Sequence, residues 1–200
     1  MISIPKRRFF ISYHHGNDQE YKEKLLLNNQ NTFLNVSVRD GDIDDNLSDQ
    51  SIREKIRDDF LRRSSVTIVL VGSETRNRKH VDWEIYSSMY NGNVSKKSGI
   101  LIINLPTIDG SPISISSEDK SILDPYNSIS WSPIKSYDRY SYLPKRLLDN
   151  IKNPKVKINM VNYINIINNP NGLRKLIDIA YEHRSSNDYD LSESMRRSNS

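Results

Sequence analysis

The 200-residue chain has no cysteine. Disulfides and thiolate metal sites are excluded at once, which agrees with a reducing compartment. No apolar run approaches the roughly 20 residues that span a bilayer, so no membrane partner is expected. The stretch from Met1 to Arg8 is too short ahead of the first apolar segment to be a signal peptide. A soluble, cytoplasmic protein is predicted. No Gly-x-Gly-x-x-Gly and no P-loop occur, so a glycine-rich phosphate cradle is unsupported. Ser73 follows Gly72 but lacks the Gly-x-Ser-x-Gly elbow of a hydrolase nucleophile. There is no internal repeat. One-sided charge is also missing. The net charge is only +4, and 29 Lys and Arg are interleaved with 25 Asp and Glu. The dense basic spots are Lys6-Arg7-Arg8, Arg76 to Lys79 and Arg196-Arg197. No basic helix with interleaved aromatics and no zinc-finger or RNA-recognition signature is present, so nucleic acid is not an expected partner.

What is present reads as alternating strands and helices. Residues 8–13 form an apolar, β-rich strand, and Asn17 or Asp18 is placed to cap a helix with Tyr21, Leu25 and Leu26 on its apolar side. Residues 33–38 read as a second strand and 39–48 as an acidic loop. Ser51 and Glu54 have capping-box spacing, and Ile52, Ile56 and Phe60 form one stripe. Residues 65–72 and 99–105 are nearly continuous Val, Ile and Leu, as central strands covered on both faces require. Between them, residues 79–90 carry Val81, Ile85 and Met89 on a single helical stripe. A βαβαβαβ order with short connections predicts an α/β fold with a flavodoxin-like, doubly wound parallel sheet.

The C-terminal extension differs. Six prolines fall between 106 and 154, an irregular segment. A short helix is predicted over 144–151, a last strand over 155–161, and a closing helix through Leu173, Ile177 and Ala180 behind Asn169-Pro170. The predicted organisation is one domain over 1–183, with its core at 7–105 and the irregular extension at 106–183. A polar tail, 184–200, is expected to be loosely held or to dock on a partner.

Polar residues at strand ends define a candidate crevice at the carboxyl edge of such a sheet. Tyr13, His14 and His15 follow the first strand, Asp40 ends the second, Ser73 the third. Taken alone, ordinary loop polarity accounts for them better. Asp42, Asp44 and Asp45 follow Asp40, but the glycine and terminal Glu of a calcium loop are missing. His14 and His15 point apart as neighbours, and His80 and His183 have no i, i+4 partner, so no metal is expected. Glu84 sits beside the buried stripe of its helix. A carboxylate losing hydration there has a raised pKa and can stabilise an oxocarbenium ion or hold a ribose hydroxyl. The competing reading is a surface Glu paired with Lys or Arg.

The residues also resemble a known family. Phe9-Phe-Ile-Ser-Tyr13, Val36-Ser-Val-Arg-Asp40, Ser65 to Ser73 and His80-Val-Asp-Trp-Glu84 are similar, in order, to the strands and the glutamate helix of TIR domains. Leu70-Val-Gly-Ser-Glu-Thr-Arg-Asn-Arg78 with Val81-Asp-Trp-Glu-Ile85 resembles the bacterial TIR-like branch of Thoeris antiphage signalling. The likeness covers residues 7–105. It implies cleavage of the nicotinamide–ribose bond of NAD, as substrate rather than cofactor, giving an ADP-ribose-type messenger, linear or cyclic, that acts on a separate effector protein. By resemblance Glu84 is catalytic, Tyr13 and His14 meet the nicotinamide side, and Asp40 and Ser73 edge the pocket. His80 stands where the family has Trp, and Trp83 comes one turn later. Self-association through TIR surfaces, or a non-catalytic interaction module or nucleotide sensor, are the other expectations.

Overall fold

The computed structural model describes residues 7–29, 34–36 (backbone), 47–92, 96–108 and 140–199. Five parallel strands form one sheet in the order β2-β1-β3-β4-β5. They are β1 (Arg8–Ser12), β2 (Leu34–Val36), β3 (Val66–Val71), β4 (Gly99–Asn104) and β5 (Asn159–Asn162). The helices are α1 (His15–Leu27), α2 (Asp49–Lys55, continuing as a π turn over Ile56–Leu61), α3 (Lys79–Met89), α4 (Lys145–Lys152), α5 (Tyr163–Ile166) and α6 (Pro170–His183). This is the flavodoxin-like arrangement expected from the alternating pattern. The acidic loop through Asp40 lies outside the described residues apart from its last two positions.

Both central strands are buried along their whole length, the reason they read as unbroken Val, Ile and Leu. Alternation divides the core. Phe9, Ile11, Tyr13, Ile68, Leu70, Leu101 and Ile103 point to the side covered by α1 and α6. Val69, Val71, Ile100 and Ile102 point to the side of α3 and α4, against Val81, Ile85, Met89 and Leu147. Phe10 meets Ile52, Ile56 and Trp83 in a third cluster that also takes in Met195. Buried Arg57, from the π turn, donates to the Ser87 and Tyr90 carbonyls at the end of α3. Where α6 crosses the start of β4, a Cβ on Gly99 would lie 1.9 Å from the Ala180 carbonyl oxygen. Only glycine permits that approach.

Three local expectations are corrected. The α1 cap is His14, in extended conformation, so Asn17 and Asp18 fall within the first turn. The α2 cap is Ser48, whose hydroxyl accepts from the Ser51 N–H at 3.2 Å, so Ser51 is already helical. The tail is not loose. It returns across α3 and α4, burying Asn187 and Met195. Its backbone oxygens accept bonds from Asn150, Asn153, Arg146 and Trp83. No helix among the described residues is long and apolar enough to cross a membrane.

Candidate functional site

In a 2-1-3-4-5 sheet the chain reverses direction between β1 and β3, and ligands bind outside the carboxyl ends of strands at that switch point. The last residue of β1 is Ser12, paired in register with Val69 of β3. Alternation turns Ser12 to the opposite side from Tyr13, toward α3. Its hydroxyl donates to Glu84 Oε2 at 2.5 Å, and both groups are buried. Glu84 is 4 % exposed, deeper than the half-buried position expected. The Ser12 hydroxyl fixes one carboxylate oxygen and partly replaces the water lost on burial.

Glu84 is aimed by residues around it on α3. Val81, Ile85 and Met89 anchor the helix on the sheet. Thr67 and Ser88 hydroxyls are 2.7 Å apart, tying the start of β3 to the last turn of α3. On the outer side, Trp83 is buried among Phe10, Ile52, Ile56 and Met195, and its indole N–H donates to the Arg196 carbonyl at 2.8 Å. Asp82 takes a fork of two bonds from Arg146 of α4, at 2.9 and 3.1 Å, and a third from the Arg196 N–H at 2.9 Å. Thus the two residues before Glu84 are both tied to the tail. The residue in the family's tryptophan position, His80, meets Trp83 edge-on with ring centroids 4.9 Å apart. It lies one turn before Glu84 on the same helix.

A second buried carboxylate occupies the other side of the switch point. Asp18, in the first turn of α1, is 2 % exposed. It accepts from the Thr75 hydroxyl at 3.3 Å, and that hydroxyl in turn accepts from the Gly72 N–H at 2.8 Å. A Cβ on Gly72 would come within 2.7 and 2.8 Å of the Asp18 oxygens and 2.9 Å of Thr107 Oγ1. The carboxylate therefore lies directly on the backbone that follows β3. Burial raises its pKa from 3.8 to about 6, against the lowering effects of the Thr75 hydroxyl and the His14 backbone contact. The folded protein holds this proton more tightly than the unfolded chain. The stabilisation is complete below roughly pH 4 and lost as pH rises through about 6. Relative to wild type, Asp18→Asn is expected to gain up to ~3 kcal/mol between pH 4 and pH 7.5. Denaturant midpoints of both proteins at the two pH values check this, and a constant difference would contradict it.

The remaining predicted residues spread out. Tyr13 is buried on the α1 and α6 side, its hydroxyl donating to Gln19 Oε1 at 2.5 Å and its ring stacked on His15 at 4.2 Å. His14 caps α1 and is half-buried. Ser73 is exposed just beyond β3. Asp40 is outside the described residues. Sequence reasoning passed over Ser12 and gave Asp18 only a capping role. For Ser12 the signal was available, since it is the polar residue at the strand end that faces away from Tyr13. Among the described residues no three His, Asp or Glu side chains converge as a metal ion needs.

Sheet order, all-parallel pairing and a glutamate buried at the switch point on the third helix define a TIR-type α/β domain. The family model for "Thoeris protein ThsB, TIR-like domain" matches residues 10–109, and the chain belongs to that family, among the TIR-like proteins of antiphage defence. No similar sequence is found among curated proteins. The matched span holds Ser12, Asp18, Gly72, Thr75 and Glu84, while the clamp from α4 and the tail lies beyond it.

Proposed function

We propose that this protein cleaves the bond between nicotinamide and ribose in NAD. The observation that carries the reading is the Glu84 carboxylate, buried at the switch point and held by the Ser12 hydroxyl. As the C1′–N bond breaks, its electron pair goes to the nicotinamide ring nitrogen and cancels the pyridinium charge. Positive charge appears on C1′ and the ring oxygen of ribose. A fixed carboxylate in a site of low water content stabilises that charge without reorganising. Water adding to C1′ loses a proton and gives ADP-ribose, whereas an adenine nitrogen adding there gives a cyclic isomer. Either product is small enough to act as a messenger on a separate effector protein. The test is chromatography of NAD incubated with concentrated protein. Free nicotinamide with an equal amount of an ADP-ribose product supports the reading. Intact NAD, also after addition of lysate from phage-infected cells, would sink it.

A scaffold role is favoured by a different feature. Leu27 of α1 and Ile164 of α5 are 63 % and 71 % exposed. Their elements are joined by Tyr163 donating to the Tyr21 carbonyl and by the edge contact of those two rings. Self-association through this edge predicts a mass that rises with concentration in light scattering and falls back for Leu27→Glu. A monomer at all concentrations would exclude it.

A further inference from the structure

Two of the dense basic spots in the sequence, Arg76 to Lys79 and Arg196-Arg197, are far apart in the chain and meet in the fold. Between α3, α4 and the tail lies an open cavity of about 310 Å³. Its cationic lining is Arg76, Lys145, Arg146, Arg196 and Arg197, against the carboxylates of Asp82 and Glu193, a net formal charge of +3. Some of this charge is already matched. Arg146 is held by Asp82, Lys145 reaches Glu193 and Asp149 at 2.6 Å, and Arg197 pairs with Asp49. Arg76 differs, since its guanidinium donates to the Ser141 carbonyl at 2.6 Å rather than to a carboxylate. Arg196 donates from its side chain to the Arg76 carbonyl at 3.0 Å, which brings these two arginines together.

Gathering guanidinium groups round a cavity costs Coulomb energy that an anion between them would recover. Guanidinium forks match phosphate oxygens better than any other anion-binding side chain. The volume lies at the lower end of small-ligand sites. We propose that this cavity is a binding site for a small phosphorylated molecule, separate from the buried Ser12–Glu84 pair. No lining residue belongs to the Ser12–Glu84 or Asp18–Thr75–Gly72 groups. The site nevertheless has a route to Glu84. The Arg196 backbone bonds both Asp82 and Trp83, so an occupant on the Arg196 side chain stiffens the segment that carries Glu84.

The indole N–H of Trp83 reports on this contact. The chain has two tryptophans, so Trp131→Phe assigns its resonance. Inorganic pyrophosphate is titrated into the full-length protein at constant ionic strength while the indole resonances are followed by NMR. A saturable shift of the Trp83 signal and a higher Tm are expected. Arg76→Gln, a change at an exposed side chain, weakens the apparent affinity about tenfold or more. Glu84→Gln leaves it unchanged, which separates this site from the catalytic reading. Absence of a saturable shift in wild type, an unaltered affinity in Arg76→Gln, or loss of binding in Glu84→Gln would each overturn the proposal.

Discussion

Replacing Glu84 by Gln is expected to lower the rate of nicotinamide release at least about a hundredfold, the range for removing one fixed electrostatic stabiliser of a transition state. Gln has the same shape, and its side-chain oxygen can still accept from Ser12, now at 2.5 Å from Glu84 Oε2. The variant should therefore fold normally and bind NAD with similar affinity, so the loss falls on kcat rather than KM. Stability moves the other way. A carboxylate that is 4 % exposed gives up most of its hydration on folding. Removing its charge should leave the Tm unchanged or higher, the usual trade between a working site and a stable one. Ser12→Ala is the companion experiment. Loss of one orienting hydrogen bond should cost about tenfold in kcat and leave the charge in place. Undiminished turnover in Glu84→Gln would remove Glu84 from the chemistry. A large drop in Tm would show that its role is structural.

The fold was legible because its strongest signals are apolar and local. Val66–Val71 and Gly99–Asn104 read as central strands since both faces of each are covered. Val81, Ile85 and Met89 read as a buried stripe and are one. Pro170 behind Asn169 marked the start of α6, where Asn169 accepts from the Gly172 N–H. The site was legible in part. Glu84 stood out by its place beside the stripe, but its partner Ser12 required the alternation of β1 to be followed to its last residue. Asp18 was hidden because its environment comes from Gly72, Thr75 and Thr107, distant in sequence. The tail was misjudged for a related reason. From 184 onward there are few apolar side chains, and hydropathy counts side chains only. Much of what holds this segment is its backbone. The carbonyls of Asp188, Asp190, Glu193, Ser194 and Arg196 accept from side chains of the domain. A backbone oxygen has no sequence signature, so a strap fastened in this way looks like disorder.

The buried ion pair that fastens the strap should be the costliest single contact to break. Side chains of Arg146 and Asp82 are 4 % and 8 % exposed. Arg146 spends its donors on both Asp82 oxygens and on the carbonyls of Glu193 and Ser194, so four acceptors depend on one guanidinium. Arg146→Met keeps most of the apolar stem and removes the charge. Asp82 is then left as a buried anion with the Arg196 N–H beside it, and the expected loss is about 3–5 kcal/mol. Removing both charges should hurt less, because a buried pair replaced by apolar groups of similar volume is often near neutral. Denaturant unfolding of wild type, Arg146→Met, Asp82→Leu and the double variant reads this directly. The double variant should be more stable than the sum of the two single losses implies. Hydrogen exchange should also quicken at residues 193–196 in Arg146→Met, since the strap is then held mainly by Trp83 and Met195. A single-variant loss below about 1 kcal/mol, with strictly additive behaviour, would mean that the pair is surface-like and that the apolar packing of Trp83 alone seats the tail.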